Sequence, residues 1–239
     1  KPDIIAYPIV WIPQTITFEH YIGAFTYVPL ARYIANTMVI AIASVIGAVA
    51  SNALTAYGLA RIDWPLARPL FALFLATMMI PFAVTMIPLF VVFKTLGWVD
   101  TYLPLTVPAY FGNAFFIFLL RQFFLTIPLE LSDAARIDGA NEFQIFTQVI
   151  LPLTKPALAT VALFQFIGSW ENFMGPLIYI SQRDLYTVSI GLAMFRGEYT
   201  TEFGPLMAAS TIMILPVIVL FFLTQRTFIQ GITLTGLKG

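Results

Sequence analysis

Long stretches of apolar side chains alternate with short charged segments along this chain. Four stretches contain no Asp, Glu, Lys or Arg: 33–60, 69–93, 101–120 and 203–225. A fifth stretch, 156–182, contains Glu171 as its one charged residue. A helix needs roughly 20 mostly apolar residues to cross the hydrocarbon core of a membrane. The pattern therefore predicts an all-α fold, a polytopic bundle with five transmembrane helices in these stretches.

Proline residues inside the predicted spans indicate bends. Pro81 and Pro88 lie two helical turns apart in the second span, and Pro216 lies in the fifth. Proline removes a backbone hydrogen bond and kinks a membrane helix, which is tolerated where neighbours cover the freed carbonyl groups. Helix packing and a functional hinge are both consistent with these positions.

The composition supports a membrane protein and excludes several other classes. Apolar residues make up 59% of the 239 residues and charged residues 10%, whereas a soluble domain carries about 25% charge. The 12 basic and 12 acidic side chains balance, which argues against a basic nucleic-acid binder. With no Cys and one His, the chain can form no disulfide or thiolate metal site, and we predict no metal site.

The basic residues predict which side of the membrane each loop faces. Seven of them lie at the span ends on one side: Arg61, Arg68, Arg121, Arg136, Lys155, Arg226 and Lys238. The other side has five, so the first side is expected to be cytoplasmic. Five spans then place the C-terminus in the cytoplasm and residues 1–32 in an extracytoplasmic segment, with a surface loop at 4–18. A chain that begins outside needs a preceding signal or span, and we expect a sixth helix before residue 1.

A charged loop separates the third and fourth predicted spans. Residues 121–155 carry seven charged side chains in 35 residues, twice the average density of the chain. Pro128 suits a first helical turn, and Gly139 can take the left-handed conformation that ends a helix. Asn141 and Gln144 have the spacing of a capping box, which begins a second helix. We expect two short helices in this loop on the cytoplasmic side.

The first of these helices combines small and charged side chains. Ala134 and Ala135 allow close approach of another backbone, and the charges around them can orient a partner in a groove. The combination favours docking of a soluble partner on residues 128–140. An amphipathic helix lying on the lipid headgroups is the alternative, although such helices usually have more basic charge and an aromatic edge.

The same loop resembles the coupling-loop signature of ABC importer permeases. That signature reads Glu-Ala-Ala, three residues, Gly, nine residues, Ile, one residue and Leu-Pro. At the same spacing this chain has Asp133, Ala134, Ala135, Gly139, Val149, Leu151 and Pro152. Asp133 replaces Glu and Val149 replaces Ile, and both keep charge or shape.

Three further segments resemble the carbohydrate-uptake branch of that family. Residues 134–140 read Ala-Ala-Arg-Ile-Asp-Gly-Ala, and residues 170–177 read Trp-Glu-Asn-Phe-Met-Gly-Pro-Leu. The tail at 225–239 is similar to the C-terminus of maltose-type permeases. The resemblance therefore extends over nearly the whole chain.

The resemblance implies the permease subunit of an ATP-driven sugar or oligosaccharide importer in a bacterial or archaeal inner membrane. Residues 33–239 would form the permease domain. The implied partners are a second permease subunit, two ATP-binding subunits, an extracytoplasmic sugar-binding protein and membrane lipid. ATP and Mg would be used by the ATP-binding subunits, so no cofactor and no catalytic residue is expected here. The residues implied to couple to the ATPase are Asp133, Ala134, Ala135, Arg136, Asp138 and Gly139.

Glu171 is the one ionisable group deep within a predicted span. A charge at that depth is costly and is expected to face protein or a water-filled path. We expect Trp170, Glu171 and Asn172 to line the sugar path, with the aromatic ring against a sugar face and the polar groups near its hydroxyls. A carboxylate tied to a break in the helix, or one that reaches the interface, is the alternative, and the residues alone leave both open.

Two other function classes remain as alternatives. A secondary transporter or channel would show internal repeats, discontinuous helices or relays of intramembrane carboxylates. The chain has one such carboxylate and no repeat. A membrane enzyme would need a nucleophile–base pair or a metal cluster at a span end, which the scarcity of His and Cys disfavours.

Overall fold

The structure is a computed structural model that describes residues 17–196 and 203–236, with side chains described as far as Gln225. These ranges contain α-helices and no β-strand, so the predicted all-α fold is confirmed. The α-helices are α1 (Glu19–Tyr27), α2 (Leu30–Ala60), α3 (Ala67–Thr77), α4 (Phe82–Thr95), α5 (Leu103–Thr106), α6 (Ala114–Leu125), α7 (Leu129–Ile137), α8 (Glu142–Gln144), α9 (Leu151–Leu153), α10 (Lys155–Trp170), α11 (Met174–Tyr179), α12 (Val188–Ala193) and α13 (Phe203–Gly236). Shorter turns are the 3-10 helices Val107–Phe111 and Arg183–Leu185 and the π-helix Ile145–Ile150.

Three helical segments of the described chain are long and apolar enough to cross a membrane: Leu30–Ala60, Leu103–Leu125 and Phe203–Gln225. Two helix pairs meet the same criterion only when each pair is taken together. These pairs are α3 with α4, bent by 100°, and the segment Glu142–Leu153 with α10, bent by 80°. Counting each bent pair as one span gives five spans, the number that the sequence predicts. The second pair begins at Glu142, inside the predicted loop 121–155, and ends at Trp170, before the end of the predicted span 156–182.

The second predicted span is two helices rather than one. α3 ends at Thr77 and α4 begins at Phe82, after Pro81 in an extended conformation (φ −64°, ψ 142°). Proline has no backbone N–H to donate, so a helix arriving from the N-terminal side is readily interrupted there. Pro88 lies inside α4 without ending it, and the bend is therefore located at Pro81.

The fourth predicted span is also shorter than its apolar stretch. α10 ends at Trp170, and Glu171 follows as the C-cap. The Asn172 side-chain oxygen then accepts a hydrogen bond from the Gly175 N–H at 3.0 Å, where α11 begins. A side chain that bonds its neighbouring backbone competes with helix continuation, which accounts for the break within 156–182.

Helix α2 is the central element of the bundle. Its 31 residues span about 46 Å at 1.5 Å per residue, more than the roughly 30 Å of a hydrocarbon core. It contributes to two buried clusters, one around Tyr57, Phe124 and Ile145 near the α7 loop, and one around Tyr33 and Trp170 at the other end. Because α2 crosses both clusters, it connects the two ends of the molecule.

The predicted extracytoplasmic segment 1–32 is described only from residue 17. The predicted surface loop at 4–18 lies almost entirely outside the described residues. Within the described part, Glu19–Tyr27 forms α1, whose Ala24 is fully buried in the cluster that also contains Leu206 and Ala209 of α13. α2 begins at Leu30, three residues before the predicted start of the first span.

Candidate functional site

Helix α7 lies in the charged loop, bounded as the sequence predicts. It begins directly after Pro128 and ends at Ile137, and Gly139 has a left-handed φ of 86°. The Asn141 side chain accepts a hydrogen bond from the Gln144 N–H at 2.9 Å, and the Gln144 side chain accepts one from the Asn141 N–H at 2.8 Å. This is the predicted capping box, so both predicted short helices are confirmed.

Arg61 attaches α7 to the end of α2. Its guanidinium donates to the carbonyl groups of Ile127 at 2.7 Å, Pro128 at 3.0 Å and Phe124 at 3.4 Å, and to the Ser132 hydroxyl at 2.8 Å. Arg61 is 7% exposed and Ser132 is 1% exposed. Burial lowers the pKa of Arg61. Since removing one partner of a buried charged group is costly, the end of α2 and the start of α7 are expected to move together.

A second set of polar contacts joins α2 to both short helices. The Tyr57 hydroxyl donates to a Glu142 carboxylate oxygen at 2.6 Å, and the other oxygen accepts from Arg136 at 2.9 Å. Arg136 also donates to Asp133 at 2.7 Å, and its hydrogen bond with Glu142 raises the pKa of Arg136. The Tyr57 ring packs on Phe146 with centroids 5.0 Å apart. The contacts run in one continuous chain from α2 to α7.

The structure places the six predicted coupling residues on one short helix and its end, but not on one face. Ala134 is exposed, while Ala135 is half-buried against the core cluster around Tyr57. The exposed members are Asp133, Ala134, Arg136, Asp138 and Gly139. The small residues are therefore divided between the interior and the surface.

Large apolar side chains complete the outward surface of this loop. Ile137 is 87% exposed, Phe143 is 68% exposed and Leu131 is 43% exposed. Together with Ala134 we call these residues the α7 patch. Exposed apolar groups clustered beside charged ones are typical of protein interaction sites. The sequence predicted small and charged side chains on this surface, whereas the patch contains three large apolar side chains.

The three predicted substrate-path residues differ in their surroundings. Trp170 is 1% exposed, stacks on Phe166 at 5.5 Å between centroids, and donates its indole N–H to the Met213 carbonyl at 3.0 Å. Glu171 is exposed and Asn172 is half-buried. The Asn172 carbonyl accepts a hydrogen bond from the Ser189 hydroxyl at 2.7 Å. The ring of Trp170 is packed inside the bundle, and a substrate role for the three residues stays a prediction.

A cavity of about 340 Å³ opens beside this break in the fourth span. Its wall includes Phe173 and Ser189 next to the break, Arg196, and Ser210 and Met213 from α13. The aromatic ring, two hydroxyl groups and one guanidinium could meet the apolar face and hydroxyls of a sugar. The sequence prediction named neighbours of this cavity rather than its lining.

Residues 44–234 match the protein family described as "Binding-protein-dependent transport system inner membrane component". The chain belongs to this family. It is thus an inner membrane permease component of an ABC importer, as its resemblance implied, and the alternative of a secondary transporter or channel does not hold.

Three permease proteins of transport systems are similar to this chain over most of its length. The permease protein AraQ of the arabinooligosaccharides transport system of Halalkalibacterium halodurans is 37% identical over 232 residues, covering 97% of this chain and 83% of that protein. AraQ of Bacillus subtilis is 33% identical, covering 95% of this chain and 81% of that protein. The permease protein UgpE of the sn-glycerol-3-phosphate transport system of Escherichia coli is 33% identical, covering 97% of this chain and 85% of that protein.

Two solved ABC transporters have the same permease fold. One is a bacterial transporter involved in the import of the acidic polysaccharide alginate, with a TM-score of 0.85 and 24% identity over 95% of this chain and 85% of that chain. The other is the MetNI methionine transporter in an inward-facing conformation, with a TM-score of 0.60 and 19% identity over 84% of this chain and 94% of that chain. At 24% and 19% identity, these two comparisons show a shared fold only.

Several residues that build the site were not identified from the sequence. Tyr57 and Arg61 sit at the end of an apolar stretch, where Arg61 counts only toward membrane orientation. Ser132 lies within the coupling loop as an ordinary polar residue. A signal was present for Arg61, because a basic residue one position beyond a long apolar helix can reach the carbonyl groups of the following loop. No sequence signal singles out Tyr57.

Proposed function

We propose that this permease imports a sugar or oligosaccharide and draws its energy from partner ATPase subunits through residues 128–140. The observation that carries the proposal is the double attachment of α7 to α2, by Arg61 on one side and by Tyr57 with Glu142 on the other. A helix that is attached to the 31-residue helix α2 and exposed on its far side is suited to transmit movement.

The α7 patch is the proposed contact with an ATPase subunit. Ile137 and Phe143 present apolar area that packing within this chain leaves open. Asp133, Arg136 and Asp138 would surround that area with fixed charges and set the orientation of the partner. Gly139 would end the helix so that it projects as a separate unit.

The proposed movement passes from α7 into α2. A shift of α7 would pull on the carbonyl groups that hold Arg61, and on the carboxylate that holds Tyr57. α2 crosses both core clusters, so a displacement at the α7 end would be felt around Trp170 at the other end. Packed interfaces of this kind change between discrete arrangements rather than deforming gradually.

A carbohydrate is the proposed substrate. The relatives named for arabinooligosaccharides support it. Glu171 and the side-chain nitrogen of Asn172 would meet hydroxyl groups as the sugar passes the break after α10. Trp170 would support that break from inside the bundle.

The proposed assembly contains a second permease subunit, two ATP-binding subunits and an extracytoplasmic sugar-binding protein. The ATP-binding subunits would use ATP and Mg, and this chain would contribute no catalytic residue. The C-terminus would lie on the cytoplasmic side together with α7.

Uptake into proteoliposomes tests the proposal. The complete importer is reconstituted with its binding protein, and entry of labelled arabino-oligosaccharide is compared with entry of sn-glycerol 3-phosphate, with and without ATP inside. We expect ATP-dependent entry of the oligosaccharide. Equal entry without ATP would overturn the energy source, while ATP-dependent entry of sn-glycerol 3-phosphate alone would overturn the substrate class.

A further inference from the structure

A second cavity, of about 400 Å³, lies where the loop after α2 meets α3, α6 and the start of α7. Three arginines line it, Arg61, Arg68 and Arg121, with Asp63 as the one carboxylate in its wall. Cavities walled by several guanidinium groups attract anions, because guanidinium matches the geometry of phosphate oxygens. We call this space the arginine cavity.

The arginines are held in place by the fold. Arg121 donates its Nε–H to the Leu59 carbonyl at 3.1 Å, and its guanidinium carbon lies 4.2 Å from the centroid of the Phe71 ring. Arg61 is 7% exposed, and its Nε has no hydrogen-bond partner within the described part of the chain. A buried polar atom without a partner is rare in folded proteins and needs an explanation. The Arg68 side chain is exposed and makes no hydrogen bond or ion pair within the described part of the chain.

The wall of the cavity is fixed on its loop side by Trp64. The Trp64 indole N–H donates to the Gly58 carbonyl at 2.8 Å, which closes the loop against the end of α2. Tryptophan is enriched at the boundary between lipid headgroups and acyl chains. Trp64 is thus a residue type expected at that level of a membrane.

Apolar surface continues from the cavity along α3. Leu66 and Leu73 are 56% and 60% exposed, and α3 contains no buried residue. Acyl chains can lie on this surface while a headgroup occupies the cavity. Free phosphate would use the arginines but would leave the adjoining apolar surface without a role, so the surroundings favour a lipid.

We propose that the arginine cavity binds the phosphate headgroup of an anionic phospholipid from the leaflet on the α7 side. Basic pockets between membrane helices recognise such headgroups, and each basic group near the surface contributes about 1 kcal/mol. Arg61 belongs both to this cavity and to the attachment of α7. A bound headgroup would therefore neutralise the group that joins α2 to α7.

Lipid retention by the complete importer tests this proposal. The complex is reconstituted in nanodiscs with equal parts of phosphatidylcholine and phosphatidylglycerol, and the lipid retained after release is measured by native mass spectrometry. We expect phosphatidylglycerol to be retained selectively. Arg68→Gln and Arg121→Gln should each lower its retention about fivefold, the equivalent of about 1 kcal/mol. Lys155→Gln is the control, since Lys155 is exposed at the start of α10 and does not line the cavity.

Equal retention by the wild type and both arginine variants would overturn the proposal. If Arg121→Gln fails to assemble, Arg68→Gln still decides, because Arg68 makes no contact that the fold requires. A third arm adds an excess of inorganic phosphate to nanodiscs of phosphatidylcholine alone. Phosphate-dependent protection of the three arginines from a guanidine-modifying reagent there, with no selective retention of phosphatidylglycerol, would assign the site to free phosphate and overturn the lipid.

Discussion

Arg61 and Ser132 are 71 residues apart in the sequence, yet the guanidinium of Arg61 donates to the hydroxyl of Ser132 at 2.8 Å in a buried site. The contact joins the C-terminal end of α2 to a helix in an exposed loop. A buried charged group that loses one of its hydrogen-bond partners destabilises the folded protein. This pair therefore fixes where the loop lies relative to the bundle.

Substitutions at this pair should separate transport from ATP hydrolysis. Ser132→Ala removes one of four acceptors and is expected to weaken the attachment by about 1–2 kcal/mol. Arg61→Lys should be more severe, because an ammonium group cannot serve four acceptors in the plane of a guanidinium. The measurement is sugar molecules transported per ATP hydrolysed, which should fall from wild type to Ser132→Ala to Arg61→Lys.

The control for the Arg61 series is Arg32→Lys, which changes an arginine at the other end of α2. Arg32 pairs with Asp184, and both side chains are more than half exposed, so its contribution is expected to be small. An unchanged transport ratio in Arg61→Lys would refute the proposed attachment.

Tyr57 and Glu142 should behave as a coupled pair. Tyr57→Phe removes the hydroxyl that donates to Glu142 at 2.6 Å, and Glu142→Gln removes the charge that it meets. Residues in one hydrogen-bonded network show non-additive effects, here expected at about 1 kcal/mol. A double-mutant cycle on the thermal unfolding of the purified importer gives this value. Strictly additive effects would mean that the two residues act independently.

Gly139 should tolerate substitution in the order set by backbone conformation. Its φ of 86° is uncommon for residues with a Cβ, and Asn tolerates it best. A Cβ would meet no atom within 4 Å, so any effect of Ala would come from the backbone and not from a clash. Transport is expected to fall from Gly139→Asn to Gly139→Ala to Gly139→Pro, with membrane insertion unchanged. A fully active Gly139→Pro importer would contradict the role of this turn.

The α7 patch should determine binding of the ATPase subunits. Ile137→Glu and Phe143→Ala are expected to weaken their association at least tenfold, about 1.4 kcal/mol, because they place charge or empty space in an apolar contact. Association is measured by titrating purified ATPase subunit onto permease in nanodiscs. Phe222→Ala is the matched control, since Phe222 is 61% exposed on α13, in a membrane span. Equal affinity of all three variants and wild type would rule out the patch.

Trp170 and Glu171 should give different kinds of defect. Trp170 is buried and donates to the Met213 carbonyl, so Trp170→Ala is expected to cost about 3–5 kcal/mol of stability. Glu171 is exposed at the end of α10, so Glu171→Gln should leave thermal unfolding unchanged and raise the KM for sugar uptake. A change in KM with Trp170→Phe at unchanged stability would instead give the indole a direct role in the path.

The local structure of the charged loop was predictable because its signals are local. Pro128, Gly139 and the pair Asn141 and Gln144 act on their own backbone, so the two helices and the turn between them follow from spacing alone. The number of membrane spans was predictable for a similar reason, because length and lack of charge decide whether a helical segment can cross a membrane.

Contacts between distant segments were not predictable in this way. The partners of Arg61 lie 63 to 71 residues further along the chain, and no local sequence pattern predicts these contacts. The orientation of Ala135 toward the core depends on how α7 packs, which the alternation of small and charged residues does not determine. The bend at Pro81 had a signal in the proline, but its size of 100° depends on the packing of two helices.

That bend has a consequence for what surrounds the chain. At residues 78–80 the backbone leaves the helix, and its carbonyl groups accept no hydrogen bond in the described part of the chain. Met79 beside them is 83% exposed. Hydrocarbon cannot solvate bare peptide groups, and each one left there costs several kcal/mol. This corner must therefore be shielded by a neighbouring polypeptide or hydrated by water. A single copy of the protein surrounded by lipid alone would leave these carbonyl groups without hydrogen-bond partners.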